Sequence, residues 1–173
     1  GQMNYARYYM QMGQTGQALD LLDEAASYFL QEGKTARLAK VYNLKGNALY
    51  TAARYQTALQ YYRRYAREAQ RLGDEPLLLA EAYNNIGACL FFLQEYDDAL
   101  AAYEQAWSRA HDKQDVKISM HAAFNQAEVL ELTGDRSAAL DWYKTYYRLR
   151  EQLYSRESNR QMAEMQQRFE TEK

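Results

Sequence analysis

A pattern of small and apolar residues recurs along this chain about every forty residues, and it limits the possible fold more than any other feature. Ala-Leu pairs begin at Ala58, Ala99 and Ala139, which lie 41 and 40 residues apart, and an earlier pair begins at Ala18. A small residue stands twelve positions before each pair, namely Ala6, Gly46, Gly87 and Ala127. Periodicity of this length is typical of repeat arrays, in which each unit is a supersecondary structure that stacks on the next.

Residues 82–106, AYNNIGACLFFLQEYDDALAAYEQA, are the most regular copy and predict two amphipathic helices joined by a polar turn at Gln94-Glu95. One proline and eight glycines in 173 residues leave long helices uninterrupted, so we expect an all-α fold. The periodicity divides residues 1–154 into about four units, the first of them truncated. Their predicted bounds are 1–33, 35–74, 75–114 and 116–154.

Glycine, aspartate and proline indicate where helices end and begin. Gly33 and Gly73 follow apolar patterns at positions where glycine can adopt the left-handed conformation that ends a helix. Asp74 and Asp135 are predicted N-caps, and Pro76 falls in the first turn of its helix. In the first unit, spacings of three and four predict one buried face. Its members are Leu19, Leu22, Ala26, Phe29 and Leu30.

Glycines inside helices predict that paired helices approach closely. A helical glycine costs about 1 kcal/mol relative to alanine, so its presence needs a packing reason. We expect a side chain at Gly46 or Gly87 to obstruct the backbone of the neighbouring helix. The small residues expected opposite them are Ala58, Ala99 and Ala139.

Residues 155–173 are predicted to be a separate terminal element. We expect the preceding helix to end near residues 155–158 and a new helix to start at Asn159. Met162, Met165 and Phe169 would then cover the open end of the array. The alternative is a signalling linker or the stem of a coiled coil. Both ends of the sequence suggest a piece of a longer protein.

Charge and motifs exclude several classes of function. A formal net charge of −2 gives no basic face for nucleic acid, and no apolar run reaches the roughly 20 residues needed to cross a bilayer. His111 and His121 lack a metal-binding spacing, and we found no phosphate-binding glycine loop. Cys89 is predicted to be a buried, inert thiol. We therefore expect neither an enzyme nor a metal or cofactor site.

The residues of each unit resemble the tetratricopeptide repeat. A small residue is followed twelve positions later by alanine, and four positions after that by Tyr62, Tyr103 or Tyr143. Other matches to the family pattern are Tyr42, Tyr55, Tyr83, Tyr96, Gly13 and Gly134. The period departs from the family's usual value of about 34, and Ala123 and Arg136 replace expected aromatic residues. The resemblance implies a right-handed superhelical solenoid of antiparallel helix pairs with longer helices, as in bacterial signalling proteins.

The resemblance also implies a function and a site. Segment 153–173 is similar to the exit of sensor regions in Bacteroidetes-type histidine kinases and helix-turn-helix regulators. The implied function is a non-catalytic module that holds a protein or peptide in its concave groove, as the sensory or regulatory part of a larger protein. The groove positions implied by the repeat register are Lys40, Asn43, Asn47, Tyr50, Glu81, Asn84, Asn85, Phe91, His121, Phe124, Asn125 and Glu128.

Several alternatives stay open at the level of sequence. Asn43 and Asn85 can contact a peptide backbone, or they can be solvated or hydrogen-bonded between helices. For Phe91 and Phe124, core packing is favoured over ligand contact. Asn43, His121 and Asn125 occupy positions where chaperone-binding members carry cations, so a heat-shock-type partner is not expected. The alternative function is a self-association scaffold, with a homodimer through the terminal helix. Extracytoplasmic and cytoplasmic locations are both compatible with the sequence.

Overall fold

The computed structural model describes residues 1–171, with side-chain surroundings given up to Met165 and at Gln167. This part of the chain forms eight α-helices joined by short turns. Their bounds are α1 Gln2–Gln11, α2 Thr15–Gln31, α3 Thr35–Thr51, α4 Tyr55–Arg71, α5 Pro76–Phe92, α6 Tyr96–Asp112, α7 Val116–Thr133 and α8 Arg136–Thr171. Each helix packs against the next, so the chain forms four antiparallel pairs stacked in sequence order. The predicted all-α solenoid is confirmed.

The helices end about every twenty residues at a position with left-handed backbone. Four of these positions are glycines, Gly13, Gly33, Gly73 and Gly134, with φ between 64° and 98°. The others carry side chains and were not predicted, namely Ala53, Asp74, Gln94 and Gln114. Each lies in a turn between two helices, where left-handed backbone reverses the chain. The turn between α4 and α5 has two such residues, Gly73 and Asp74, and each of the other turns has one.

The two predicted N-caps have different outcomes. Asp135 caps α8, because its Oδ1 accepts a hydrogen bond from the Ala138 amide at 3.1 Å. The prediction for Asp74 is wrong, since Asp74 is left-handed with a φ of 53° and Glu75 precedes the helix that starts at Pro76. Asp115 is a cap that the sequence analysis missed: its Oδ1 accepts from the Ile118 amide at 2.8 Å.

The core follows the helical period closely in α2. Ala18, Leu22, Ala25 and Phe29 are buried there, at spacings of four, three and four residues. The predicted face was wrong at its edge, since Leu30 is 64% exposed, whereas Ala26 is half-buried and packs against the core. A run of adjacent apolar residues does not tell which of them points inward, and the position of α3 decides it.

Buried tyrosine rings occupy the space that Gly46 and Gly87 leave free. A Cβ added at Gly46 would lie 2.5 Å from Cε1 of Tyr62, and one at Gly87 would lie 2.6 Å from Cε1 of Tyr103. Close approach at both glycines is thus confirmed, but the obstructing group is a ring instead of the predicted backbone. In the fourth unit Ala127 replaces the glycine, and Tyr143 is only half-buried.

Helix α8 continues without a break from Arg136 to Thr171, so the predicted end near residues 155–158 is wrong. No glycine or proline interrupts this stretch of sequence. Met162 and Met165 are 63% and 56% exposed, and therefore do not cover the end of the array. The surroundings of Phe169 lie outside the described side chains.

Candidate functional site

Asparagines on the first helices of three successive units form hydrogen bonds from helix to helix. Nδ2 of Asn43 on α3 donates to Oε1 of Glu81 on α5 at 2.9 Å, and Oδ1 of Asn43 accepts from Nδ2 of Asn85 at 3.2 Å. One step further, Nδ2 of Asn125 on α7 donates to Oδ1 of Asn84 at 2.9 Å. We call Asn43, Asn84, Asn85 and Asn125 the asparagine ladder.

The asparagine ladder shows which of the alternatives left by the sequence is present in the structure. For Asn43 and Asn85, hydrogen bonding between helices is what the structure shows. All four ladder side chains are only half-buried, so each keeps contact with solvent. Every amide has two donor hydrogens and an acceptor with two lone pairs, so one or two bonds leave further hydrogen-bonding capacity. Contact between the ladder and a peptide stays a prediction.

Two tyrosines of α4 fix the predicted site residues Asn47 and Glu81. The Tyr65 hydroxyl donates to Oε2 of Glu81 at 2.9 Å, and the Tyr62 hydroxyl donates to Oδ1 of Asn47 at 2.7 Å. Burial, with Glu81 adding to it, raises the pKa of Tyr65 well above its usual value, so the hydroxyl keeps its proton and remains a donor. The carboxylate of Glu81 therefore joins α3, α4 and α5.

An aromatic cluster lies at the turn end of the second and third units. The Tyr50 ring packs edge-on against Phe92 at 5.7 Å, and Tyr55 stacks on the same ring at 4.6 Å. Phe92 is 49% exposed and was not predicted as a site residue, although it directly follows Phe91. Phe91 packs edge-on against Tyr96 at 5.8 Å and against the core. Core packing, the favoured interpretation, thus describes Phe91.

The predicted site residues of α7 differ in how far they are buried. Phe124 lies 5.1 Å from the Tyr146 ring and 6.0 Å from Tyr143, which again agrees with packing. His121 is exposed, and burial of part of its ring together with Lys117 lowers its pKa. Glu128 is half-buried, and burial followed by repulsion from Glu131 raises its pKa.

Lys40 is exposed on α3 and forms no hydrogen bond or ion pair with another described residue. The structure therefore brings most of the predicted site together as a half-buried polar strip. Lys40 and His121 stand at its exposed margin. Neither residue forms a hydrogen bond with the asparagine ladder.

Two kinds of reactive site were looked for among the described residues, an activated thiol and a metal centre. Cys89 is fully buried as predicted, and burial raises the pKa of its thiol to about 12, which keeps it protonated. No cluster of three or more His, Cys, Asp or Glu within the described residues could hold a metal ion. None of the described helices combines the length and apolar character needed to cross a bilayer.

Two family models, both of the tetratricopeptide repeat, match this sequence. One covers residues 5–74 and the other residues 78–152, so together they overlap all eight helices and most of the packed part of α8. The chain belongs to the tetratricopeptide repeat family. Members of this family are in general protein-binding modules without catalytic activity. No curated protein matches the sequence significantly.

Solved structures share the fold at low sequence identity. BtubC from P. vanneervenii superposes with a TM-score of 0.79 at 20% identity, over 88% of this chain and 63% of its own. Aspartyl phosphate phosphatase F from Bacillus subtilis gives 0.82 at 18% identity, over 88% and 40%. A Rap protein complexed with competence and sporulation factor gives 0.76 at 18% identity, over 86% and 41%. This chain thus spans less than two thirds of each of these structures.

Proposed function

We propose that this chain is a non-catalytic module that binds an extended peptide or protein segment along α3, α5 and α7. The asparagine ladder is the observation that carries the proposal. It presents a row of amides on three successive helices, each oriented by a hydrogen bond of 2.9–3.2 Å to its neighbour. A peptide backbone offers donors and acceptors at regular intervals, and amides fixed in place lose little entropy on pairing with it.

Residues at the margins of this strip would determine which peptide sequences bind. Lys40 and His121 extend beyond the ladder on α3 and α7, and the exposed ring of Phe92 lies at its turn end. A segment that combines a carboxylate with an aromatic or aliphatic side chain fits these three groups. Because Lys40 and His121 are not held by other side chains, they can reorient towards a ligand.

We further propose that the module is the sensory or regulatory part of a larger bacterial signalling protein. In this arrangement residues 1–154 are the binding array and residues 155–173 are a linker to the rest of the protein. Support comes from the fold shared with a Rap protein that was crystallised with competence and sporulation factor. The repeat period near forty, typical of signalling members, points the same way.

The experiment is a peptide-array screen with the whole chain, followed by calorimetry of the peptides that bind. We expect Lys40→Ala/His121→Ala to weaken binding about tenfold, equivalent to 1.4 kcal/mol. The matched control is Lys144→Ala/His111→Ala, which removes the same residue types elsewhere and should leave affinity within about twofold. Equal affinities for all three proteins would place the site elsewhere.

One observation favours self-association as a second candidate function. Leu140, Tyr147 and Tyr154 are 55%, 54% and 65% exposed on α8 and are spaced by seven residues, so they form a stripe along one side of the helix. Such a stripe fits the same helix of a second copy. Sedimentation of the wild-type chain and of Tyr147→Ser/Tyr154→Ser tests it, with a dimer expected only for the wild type. Monomers in both cases would exclude this role.

A further inference from the structure

A groove begins between α4 and α5 and continues to α6. Its first part is a cavity of about 560 Å³ lined by Gln60, Arg63, Arg64, Arg67, Tyr83 and Ile86. Its second part, of about 610 Å³, is lined by residues that include Asp74, Leu79, Arg109, Asp112 and Lys113. Both parts include Gln70, so they adjoin. Each volume lies within the range of about 300–1,000 Å³ that is usual for ligand sites.

The charge of α4 has no counterpart within the described protein. The helix carries four arginines and a single acidic residue, Glu68, while the whole chain has a net charge of −2. Glu68 is buried and already accepts from Arg71 at 3.0 Å. Arg63, Arg64 and Arg67 are exposed, and none forms an ion pair with another residue of the described chain. Like charges three and four positions apart oppose helix formation by about 0.2–0.5 kcal/mol per pair, so folding alone does not account for them.

Aromatic rings hold part of this cationic surface in place. The Arg64 guanidinium lies 5.3 Å from the Tyr61 ring centroid and 5.8 Å from that of Tyr42. On the opposite wall, the Arg109 guanidinium lies 4.9 Å from the ring of Tyr83, which also lines the groove. The cation–π contacts fix the plane of the Arg64 guanidinium while leaving its N–H groups free to pair with carboxylates. Arg109 differs, because its Nη1 already donates to the backbone and side-chain oxygens of Gln105.

We propose that this arginine groove binds an acidic peptide segment of a partner protein. Arg63, Arg64 and Arg67 pair with its carboxylates, since guanidinium groups bind carboxylates in a bidentate manner. The groove is separate from the asparagine ladder, so this interaction does not depend on the proposed function. The chain would then contact two segments, one on the first helices and one between the second helices.

The other end of the groove favours a peptide over a nucleic acid. Asp74 and Asp112 line the second cavity together with Arg109 and Lys113. A nucleic acid is anionic along its whole length and would bring phosphates next to these two carboxylates. A peptide can place carboxylates at the arginine end and a lysine near Asp74 or Asp112 at the other end.

The test is fluorescence anisotropy with a short labelled peptide whose glutamate-rich half is followed by neutral residues and a terminal lysine. We expect wild-type protein to bind it at about 50 mM salt and more weakly at about 300 mM, since exposed charges are screened. Arg63→Ala/Arg67→Ala should weaken binding at low salt about tenfold or more. The matched control is Arg136→Ala/Arg148→Ala, which removes two exposed arginines of α8 and should leave affinity within about twofold.

Three outcomes would overturn the proposal. One is no binding by the wild type at low salt. Another is an equal loss for both double variants, which would indicate non-specific attraction. The third is tighter, groove-dependent binding of an oligouridine probe, which would make the groove a nucleic-acid site. Melting curves confirm folding, and Arg63→Gln/Arg67→Gln provides a second groove variant should the alanine protein be destabilised.

Discussion

At the scale of single residues, Gly87 shows how two opposing effects decide a stability change. Alanine in place of a helical glycine stabilises a helix by up to about 1 kcal/mol. However, the added Cβ would lie 2.6 Å from the Tyr103 ring, which is 3% exposed and enclosed by the core. Overpacking of this kind costs about 1–3 kcal/mol. We therefore expect Gly87→Ala to lower the free energy of unfolding, measured by urea denaturation.

The control for this prediction is Gly16→Ala. Gly16 lies in the first turn of α2, and no heavy atom outside the turn is within 4 Å of the position of an added Cβ. This variant should be unchanged or slightly more stable. Replacing the ring by leucine in Gly87→Ala/Tyr103→Leu should relieve the clash. The added methyl group should then lower the free energy of unfolding less than it does in the single variant, and an equal loss would contradict the explanation.

Glu128 predicts a pH dependence with a definite sign. Burial and Glu131 raise its pKa in the folded state above the reference value of 4.5, so the folded protein binds more protons than the unfolded chain at intermediate pH. The ionised side chain thus opposes folding at pH 7, and this effect disappears as pH falls through the raised pKa. Glu128→Gln should raise the melting temperature at pH 7 and have little effect near pH 4.

The control for Glu128 is Glu104→Gln, which neutralises an exposed carboxylate on α6. It should give the same small difference at both pH values. If Glu128→Gln stabilised the protein equally at pH 7 and pH 4, its effect would come from packing and not from ionisation.

At the scale of helices, the bond between Asn125 and Asn84 joins α7 to α5 directly. Each single alanine variant should lose about 1 kcal/mol of stability, and the double variant should lose less than the sum, because both remove one shared bond. Denaturation of all four proteins gives the coupling energy, expected at about 0.5–1 kcal/mol. Additive losses would mean that the bond contributes nothing.

A second cycle serves as its reference. Asn43 on α3 and Asn125 on α7 belong to the same ladder but do not bond to each other. Their alanine substitutions should add to within about 0.5 kcal/mol. Comparing the two cycles shows whether the coupling energy comes from the bond between Asn125 and Asn84 or is shared by all members of the ladder.

The helices also show where sequence reasoning succeeds and fails. The four helix pairs were predicted because a recurring pattern of small residues identifies every unit at once. Helix ends at glycine were predicted as well, but Gln94 and Gln114 take the left-handed conformation without being glycine. In those turns the packing of the flanking helices imposes a conformation that the residue itself does not favour.

At the scale of the whole molecule, the last part of α8 extends away from the array. The side chains from Ser155 to Met165 are exposed, and Leu149 is the last residue of the helix described as buried. Removing residues 159–173 should therefore leave the melting temperature within about 1 °C of the full chain, below the shift of about 2–4 °C that 1 kcal/mol produces in a domain of this size.

Truncation before Leu149 should behave differently. Deleting residues 145–173 removes a buried leucine and the aromatic packing between Tyr146 and Phe124, so a clear fall in melting temperature is expected. A similar fall after the shorter deletion would show that the terminal segment covers the array, as the sequence had suggested. Calorimetry of the two truncated chains and the full chain distinguishes these outcomes.

The sequence by itself determined the fold class, the number of units and the positions of the tightest packing. These follow from a periodic pattern, which can be recognised in the sequence without knowledge of any contact. It also placed the asparagines on one face, since their spacing of about 41 residues repeats that of the helices.

Only the tertiary structure decided what these asparagines contact. Hydrogen bonds from helix to helix depend on the stagger between stacked units, which a one-dimensional pattern does not contain. The arginine groove arises for the same reason, because its lining residues on α4, α5 and α6 are brought together only by the packing of these helices. The repeat of small residues therefore specifies the scaffold, while the offset between units specifies which surfaces are open to a partner.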